Sequence, residues 1–588
     1  MPILLRGGVT VEDFLEWIEA RRREHLIQRG LPLELRYPFG NIPITDYLSN
    51  WATIIPDRPA LIYYGTRITF RQLDELANQF ANYLRARGLG KGDFIGIHLY
   101  NCPQYLIAHF GGMKAGCTVI PMDPLWKRIE LEAPLGDTHP TVIVTQDINY
   151  PIFSELRERF GIKEILTTGL GDFLPPDPEL PLPDIFKEAN PGCPQATDLL
   201  AVIKECSTAP PQVKIELEDN ASLDYTGGTT GPSKGCLHTH LGVTYTKACM
   251  YTYFGFREAN PHLPALIFAP VFHTAARGQM ECMIFTGLCT VLLVRFDFAA
   301  VLQAIDRYKV FIMWGPSDFW DAMTKLPDSE LEKFDLTSLA YATCTQYNVL
   351  LNRELRDRFA RITNGGLLFD ITWGLTETLS MNTITLGFQD VDLQKQEEAG
   401  GVFIGLPMPK TYLKIVDQTE RKVVPPRTVG EIAVKDPALP PVYFNRPAET
   451  AACYLPDGFL LTGDLGMYDE DGFFYYTGRS KEVIKVSGFT VSPREIELIM
   501  GYHPAVKSVA VVGAPHPRYG EIPVAFLIPK PEFKNRLSEE EVIGWCREKM
   551  APYKVPRFVV FKEAFSFLLG LKLDRERMQK EAREVAGS

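Results

Sequence analysis

An α/β architecture follows from two patterns and one bound: a large unit of parallel-rich sheets covered by helices, then a smaller α+β unit at the C-terminal end. Helical and strand-like segments alternate with short connections after Thr69, which places parallel strands under helices. A separate series of two apolar strands and a capped helix begins after Lys481. The bound is length, since 588 residues exceed what a single hydrophobic core serves and require at least two domains. Hydrophobic residues at 46% and charged residues at 23% are the proportions of an ordinary soluble globular chain.

In chain order, residues 10–29 read as an amphipathic helix with Arg21, Arg22 and Arg23 on a solvated face. Residues 1–44 form an N-terminal helical extension that packs on the body and carries no chemistry. At Thr69 the run T-F-R-Q predicts a capping box with Gln72, and Phe70, Leu73, Leu76, Ala77, Phe80 and Leu84 follow at helical spacing up to Gly88. A strand from Phe94 to Leu99, a helix from about Pro103 to Ala115 and a strand from Thr118 to Met122 come next. Nine prolines between Phe173 and Pro211 predict a long surface connection rather than a buried element. Beyond a boundary near Lys481, strands are expected at Lys507 to Val512 and Ile522 to Ile528, with a helix opening at Ser538 and capped by Glu541. The domains are therefore 1–44, 45–480 and 481–588.

Composition narrows function. A net charge of −11 argues against a nucleic-acid partner, which calls for a basic face. Eleven cysteines without a C-x-x-C pair read as reduced thiols, mostly small buried hydrophobes, and make a zinc site unexpected. The N-terminus lacks a secretory pattern, no apolar run reaches membrane-spanning length, and the C-terminal residues are not Ser-Lys-Leu. A cytoplasmic location is the expectation, and the oligomeric state stays open, a homodimer included.

The stretch "DYTGGTTGPSKGCLHTH", Asp224 to His240, carries the first chemistry. Gly227, Gly228, Gly231 and Gly235 permit backbone angles closed to other residues and leave amides exposed, a concavity that attracts anions. Thr226, Thr229 and Thr230 add hydroxyl donors, and Lys234 adds a mobile positive charge. The stretch does not fit the G-x-x-x-x-G-K-[ST] pattern. On its own it reads equally as a phosphate cradle or as an ordinary glycine-rich turn.

Four further stretches accompany it: "FAPVFHTAARG" (Phe268 to Gly278), "FDITWGLTET" (Phe369 to Thr378), "LLTGDLGMYDEDGFFYYTGRSKEVIKVSGF" (Leu460 to Phe489) and "LGLKLDRER" near the C-terminus. In order and spacing the set resembles the adenylate-forming superfamily of acyl-CoA synthetases, peptide-synthetase adenylation domains and luciferases, and in pattern the fatty acyl-CoA synthetases most. The resemblance spans residues of about 45 to 580.

It implies a large adenylating domain with ATP and acyl sites, a mobile C-terminal domain, and ATP, Mg²⁺, coenzyme A and a small-molecule carboxylic acid as ligands. Lys234 and the glycine-rich loop would hold the departing pyrophosphate, where charge grows as the bond breaks. Glu377 would ligate Mg²⁺ and Thr376 a phosphate oxygen. Asp464 would accept both ribose hydroxyls, supported by Arg479. Trp373, beside Gly374, would stack on adenine or border the acyl pocket, and a buried core tryptophan reads the same way. His273 would stand beside the carboxylate or be structural, while His238 and His240 read as structural. Lys481 matches the family's hinge. Lys572 would reach the α-phosphate in one domain pose, and Lys485, Ser487 and Gly488 the acyl-adenylate in the other.

Three departures from the family pattern stand out. Proline falls one place early in Gly231-Pro232-Ser233-Lys234-Gly235. Thr343, Cys344 and Thr345 replace smaller residues of the adenine segment, and Leu571 precedes Lys572 where relatives have glycine. The expected activity is that of an AMP-forming acyl-CoA synthetase for a medium- or long-chain fatty acid. An aryl-acid CoA ligase, a luciferase-like oxygenase and a nucleotide-binding homologue with impaired catalysis are the alternatives.

Overall fold

The computed structural model describes residues 10–188, 190–226, 233–256, 263–346, 349–440, 442–486, 489–566 and 573–587. Two seven-stranded sheets of one design dominate it. In the first, Thr197–Asp198, Glu164–Thr168, Val142–Gln146, Phe94–His98, Thr118–Pro121 and Asn220–Tyr225 run parallel in that spatial order, and Gly235–Thr239 closes the edge antiparallel. In the second, Leu367–Asp370, Tyr341–Thr345, Ile312–Pro316, Ala265–Ile267, Thr290–Leu292 and Pro59–Tyr63 run parallel, and Thr66–Thr69 is the antiparallel edge.

One continuous core joins the sheets: Ile95, Val119 and Val144 from the first and Leu266, Val291 and Met313 from the second pack with intervening helices. That position explains Pro103–Lys114, whose twelve residues are all buried. Its polar members are met inside the core, Gln104 by Thr168 and Gly169, His109 by Glu281 and Lys114 by Asp74. The helix Phe70–Ala86 opens with the expected capping box, Thr69 accepting from the Gln72 amide and Gln72 from the Thr69 amide.

A third, six-stranded sheet is antiparallel: Thr383–Ile384, Val402–Pro407, Phe474–Arg479, Leu460–Tyr468, Gly430–Lys435 and Tyr412–Val416. The helix Val11–Gln28 lies against it, with Phe14 and Ile18 among Val402, Tyr468 and Phe474. Arg22 corrects the expected solvated arginine face. It is buried and pairs with Glu19 at 2.5 Å, because it falls on the same four-residue stripe as Phe14, Ile18 and Leu26. The proline-rich connection is also more than surface. Thr197–Asp198 supplies an edge strand and Leu199 and Ile203 are buried, since a two-residue edge strand needs none of the amides that proline lacks.

The C-terminal residues form a separate sheet with its own two-sided core. Val506–His516 and Gly520–Pro529 pair antiparallel over ten partners, and Phe558–Phe561 adds in parallel. Both strands run past their expected limits to a turn closed at Gly520, which takes φ +77°. The helix Glu539–Lys549 carries the Ser538–Glu541 capping box.

Candidate active site

The glycine-rich loop is clamped at its base. The Thr226 amide donates to the Lys234 carbonyl at 2.9 Å, the Lys234 amide donates to Thr226 Oγ1 at 3.2 Å, and Ser233 Oγ donates to the Thr226 carbonyl at 2.5 Å. Tyr225 opposite Gly235 is the last rung of the ladder below. Gly227, Gly228, Thr229, Thr230 and Gly231 lie outside the described residues. Lys234 Nζ sits 4.6 Å from the centroid of the Tyr443 ring, a cation–π contact. Tyr443 in turn donates its hydroxyl to Glu377 Oε1 at 2.6 Å. Burial, with the Glu377 charge beside it, raises the phenol well above its ordinary value and keeps it a donor.

Glu377 lies on the single 3₁₀ turn Thr376–Thr378. The loop around it folds back tightly, with Leu379 and Ser380 at φ 50° and 60° and the Ser380 amide donating to the Leu375 carbonyl at 2.9 Å. Gly374 is fixed by that fold: a Cβ there would stand 2.4 Å from the Ser380 carbonyl carbon. Trp373 is buried, and its indole Nε1 donates to Asp464 Oδ2 at 3.0 Å. Trp373 is thus a buried core ring, as one reading had it, with its polar edge bonded to the Asp464 carboxylate.

Asp464 and Arg479 face each other across neighbouring strands, Nε to Oδ1 at 3.1 Å. That contact is an ion pair without hydrogen-bond alignment, and Oδ1 has no hydrogen-bond partner among the described residues. Burial pushes the Asp464 carboxyl up to about 6, with Arg479 and the Trp373 bond pulling the other way.

His273 is exposed at the start of the helix Thr274–Thr286, its ring 4.6 Å from that of Phe272. Behind this helix lies a charge network that the sequence reading missed. Arg277 grips Asp224 through two bonds of 2.5 and 2.7 Å, and Glu281 meets Lys247 at 3.0 Å, His109 at 3.0 Å and Arg277 at 3.5 Å. All five side chains are almost fully buried. Ions so placed persist only when paired, and here the pairing ties the helix to the strand that feeds the glycine-rich loop. The four-residue spacing of Arg277 and Glu281 was a legible signal; their partners were not. His238 and His240 are buried, His238 Nδ1 lying 3.1 Å from the Ala438 carbonyl and burial lowering His240 to about 4. Among the described residues no three metal-ligating side chains cluster.

A narrow apolar cavity opens between this helix, the helix His240–Tyr253 and the second sheet. Met250, Met283, Met313 and Trp314 line it together with Gln279 and Thr343. Trp314 stands opposite Thr343 in the ladder and donates Nε1 to Thr345 Oγ1 at 3.1 Å. Cys344, on the other face of the same strand, is sealed in the core, where burial holds its thiol far above the usual range.

In the C-terminal unit Lys481 is exposed in the turn where the Glu482 amide donates to the Arg479 carbonyl at 3.0 Å. Lys485 is exposed on strand Ile484–Val486, its amide donating to Glu521 Oε2 at 2.7 Å. Ser487, Gly488 and Lys572 lie outside the described residues. Arg494 reaches the Gln346 carbonyl at 2.8 Å, and Arg575 joins Glu497 at 2.8 Å and Glu482 at 3.6 Å. Of the residues singled out from sequence, Arg479, Asp464 and Trp373 thus stand in one chain of contacts and Glu377 and Lys234 in a second, joined by Tyr443 as the unforeseen addition, with the Glu377 charge acting on Asp464.

Comparison with known proteins agrees in extent. The model of the AMP-binding enzyme family matches residues 48–444, and that of the AMP-binding enzyme C-terminal domain matches residues 495–566. A long-chain-fatty-acid–CoA ligase of Bacillus subtilis is 31% identical over 571 residues, 94% of this chain and 97% of that protein. A feruloyl-CoA synthase of Amycolatopsis is 29% identical over 88% of this chain and 95% of its own length. Among solved structures, ATP-bound MatB from Rhodopseudomonas palustris superposes with a TM-score of 0.77 at 23% identity, over 93% of this chain and all of that one. The anthranilate CoA ligase AuaEII in complex with anthranoyl-AMP also gives 0.77, at 24% identity over 95% and 99%. These likenesses show the fold.

Proposed function

The chain belongs to the family of AMP-binding enzymes, and on that footing we propose that it activates a medium- or long-chain fatty acid and passes it to coenzyme A. It is an adenylate-forming acyl-CoA ligase, an AMP-forming acid–thiol ligase that uses ATP, Mg²⁺ and coenzyme A. The acid's carboxylate displaces pyrophosphate from the α-phosphorus to give acyl-AMP. The thiol then displaces AMP from the acyl carbon, its proton passing to solvent.

The observation that carries the site reading is a pair of contact chains, Arg479–Asp464–Trp373 and Glu377–Tyr443–Lys234, near enough for the Glu377 charge to act on the Asp464 carboxyl. One end suits a ribose, because Asp464 presents a buried acceptor oxygen with no bond of its own. The other suits phosphates, because Lys234 projects a cation at the base of the amide-rich loop. Between them Glu377 has Oε1 held by Tyr443 and Oε2 for a ligand. One carboxylate fits Mg²⁺ where phosphates supply further oxygens. When bound, the ion neutralises charge that accumulates on those oxygens.

Lys572 serves adenylation and Lys485, Ser487 and Gly488 serve thioester formation, with rotation at Lys481 exchanging residues 481–588 between two poses over the domain 45–480. No helix among the described residues is long and apolar enough to cross a membrane, and work in the cytoplasm fits that. The fatty-acid reading is supported by the curated relatives and by the methionine-lined cavity beside the His273 helix. An aryl acid is the second reading, favoured by the feruloyl-CoA synthase among the relatives.

A screen of aliphatic and aromatic acids for coenzyme A conjugates, read by mass spectrometry, tests the choice. Thioesters are expected with medium and long aliphatic acids. Products from aromatic acids alone would replace the fatty-acid reading with the second one.

A further inference from the structure

Gln279 and Thr343 are the two uncharged polar side chains lining the cavity, apart from the bonded indole of Trp314. They are 8% and 3% exposed. Among the described residues neither side chain makes a hydrogen bond, although both residues line the cavity. When a hydrocarbon guest fills the cavity and excludes water, an amide or hydroxyl there is left without a partner, at a cost of about 1–3 kcal/mol. A site meant only for methylenes has no need of that cost, which leucine and valine of similar shape would avoid. The rest of the lining is apolar and adaptable, with three unbranched methionines whose thioethers re-pack around a guest.

We infer that the preferred acid carries a hydrogen-bonding oxygen, a hydroxyl or keto group, on its hydrocarbon portion, and that Gln279 and Thr343 receive it. The inference rests on the fatty-acid reading above, with the carboxylate end near His273. Gln279 lies six residues into the helix that starts beside His273, about 9 Å along its axis at the usual rise per residue. The oxygen therefore belongs in the middle of the chain, away from the carboxylate. The Gln279 amide offers donors and an acceptor and the Thr343 hydroxyl one of each, so a hydroxyl or a ketone is satisfied equally. As described, the cavity holds about 10 Å³, room for one oxygen-sized guest, and movement of the methionines admits the chain on either side.

Pyrophosphate release is measured with four matched acids: a saturated long-chain acid and its mid-chain hydroxy, keto and methyl derivatives, the methyl one controlling for size. Parent enzyme should favour the hydroxy and keto acids over the methyl acid by about tenfold to a hundredfold in kcat/KM, the effect of leaving a polar group in the cavity unmet. Gln279→Leu and Thr343→Val, both close in shape, should each cut that ratio by about tenfold or more. Equal rates for the oxygenated and methyl acids, or a preference that survives both substitutions, overturns the inference and leaves the fatty-acid reading standing. If every aliphatic acid is inert and aryl acids react, the fatty-acid reading has failed. Hydroxylated and methylated aryl acids in the same three proteins then decide whether the polar pair selects oxygen, and equal rates there overturn it.

Discussion

Trp373 holds Asp464 at 3.0 Å and Tyr443 holds Glu377 at 2.6 Å, whereas Gln279 and Thr343, in the cavity beside the His273 helix, make no side-chain hydrogen bond among the described residues. Around the first set lie a tightly wound loop and a ladder of antiparallel strands; around the second lie methionines. The difference follows from what each region meets. A nucleotide is the same in every turnover, so its groups gain from being fixed in advance. An acyl group differs between enzymes of one family, and an adaptable lining with a few polar points suits it.

The largest effect expected lies on the fixed side and concerns one half-reaction only. Lys572→Ala should slow acyl-adenylate formation by about a hundredfold or more, the scale of losing one preorganised donor from a transition state. With acyl-adenylate supplied, thioester formation in that variant should persist, because the rotated small domain carries Lys572 away. Lys485→Ala should show the reverse bias. Normal adenylation in Lys572→Ala would mean that Leu571 marks a lost lysine role, and that the fixed side is complete without the C-terminal unit.

Next in size is Asp464→Ala, which removes a charged acceptor and should weaken ATP binding by about 1.5–3 kcal/mol and slow both half-reactions, since the ribose stays bound in the adenylate. The same carboxyl predicts a pH dependence. Its folded value of about 6 lies above the unfolded value of about 3.9, so ionisation opposes folding. Its contribution to stability is fully present below about pH 3.9 and is lost as pH rises through about 6. Asp464→Asn, which still accepts from Trp373, should therefore raise stability by about 2–3 kcal/mol at pH 7 and by little near pH 4. Function runs the opposite way: the KM for ATP in the parent should rise as pH falls through about 6, and the Asn variant should lack that rise. A parent profile flat between pH 5 and 7 would remove Asp464 from the ribose site.

How far these features could be read in advance differs by region for physical reasons. Capping boxes at Thr69 and Ser538 are local signals, and both form as read. That strands lie parallel under helices follows from the alternation read between Thr69 and Met122; their spatial order does not. The antiparallel third sheet was missed, because period alone does not say which strands pair. Arg22 was placed on the wrong face because its charge outweighed a position that matches Phe14, Ile18 and Leu26. In the site, Lys234, Glu377 and Asp464 stand in recognisable motifs. Tyr443 does not, and only folding brings it between Lys234 and Glu377, 66 residues from the latter in sequence. Arg277 and Asp224 are likewise 53 residues apart and joined by topology alone.

Tyr443 separates two functions of the fixed side at a smaller scale. Tyr443→Phe removes the bond to Glu377 but keeps a ring beneath Lys234, so the Mg²⁺ needed for half-maximal rate should rise about tenfold or more, the size of a hydrogen bond to a charged group. Tyr443→Leu removes both contacts and should also weaken pyrophosphate inhibition, since the Lys234 ammonium loses about 0.5–1 kcal/mol of cation–π attraction. Identical behaviour of the two variants would show that the ring does not position Lys234.

The smallest effect belongs to the adaptable side and sharpens the contrast most. Met283 lines the cavity one helical turn beyond Gln279 and is fully buried. Exchanging it for leucine keeps volume and polarity, and swaps of that kind cost less than about 1.5 kcal/mol. Met283→Leu should accordingly shift the KM for any one acid by only a few-fold. It should instead redistribute rates among acids of different length or branching, because a branched side chain cannot follow the guest as an unbranched thioether does. Trp373→Phe is the matching change on the fixed side, aromatic for aromatic, and it should cost more because it takes from Asp464 the donor at 3.0 Å. If Met283→Leu proves the more damaging of the two for turnover of a good substrate, the cavity is as preorganised as the nucleotide half and the contrast drawn between them fails.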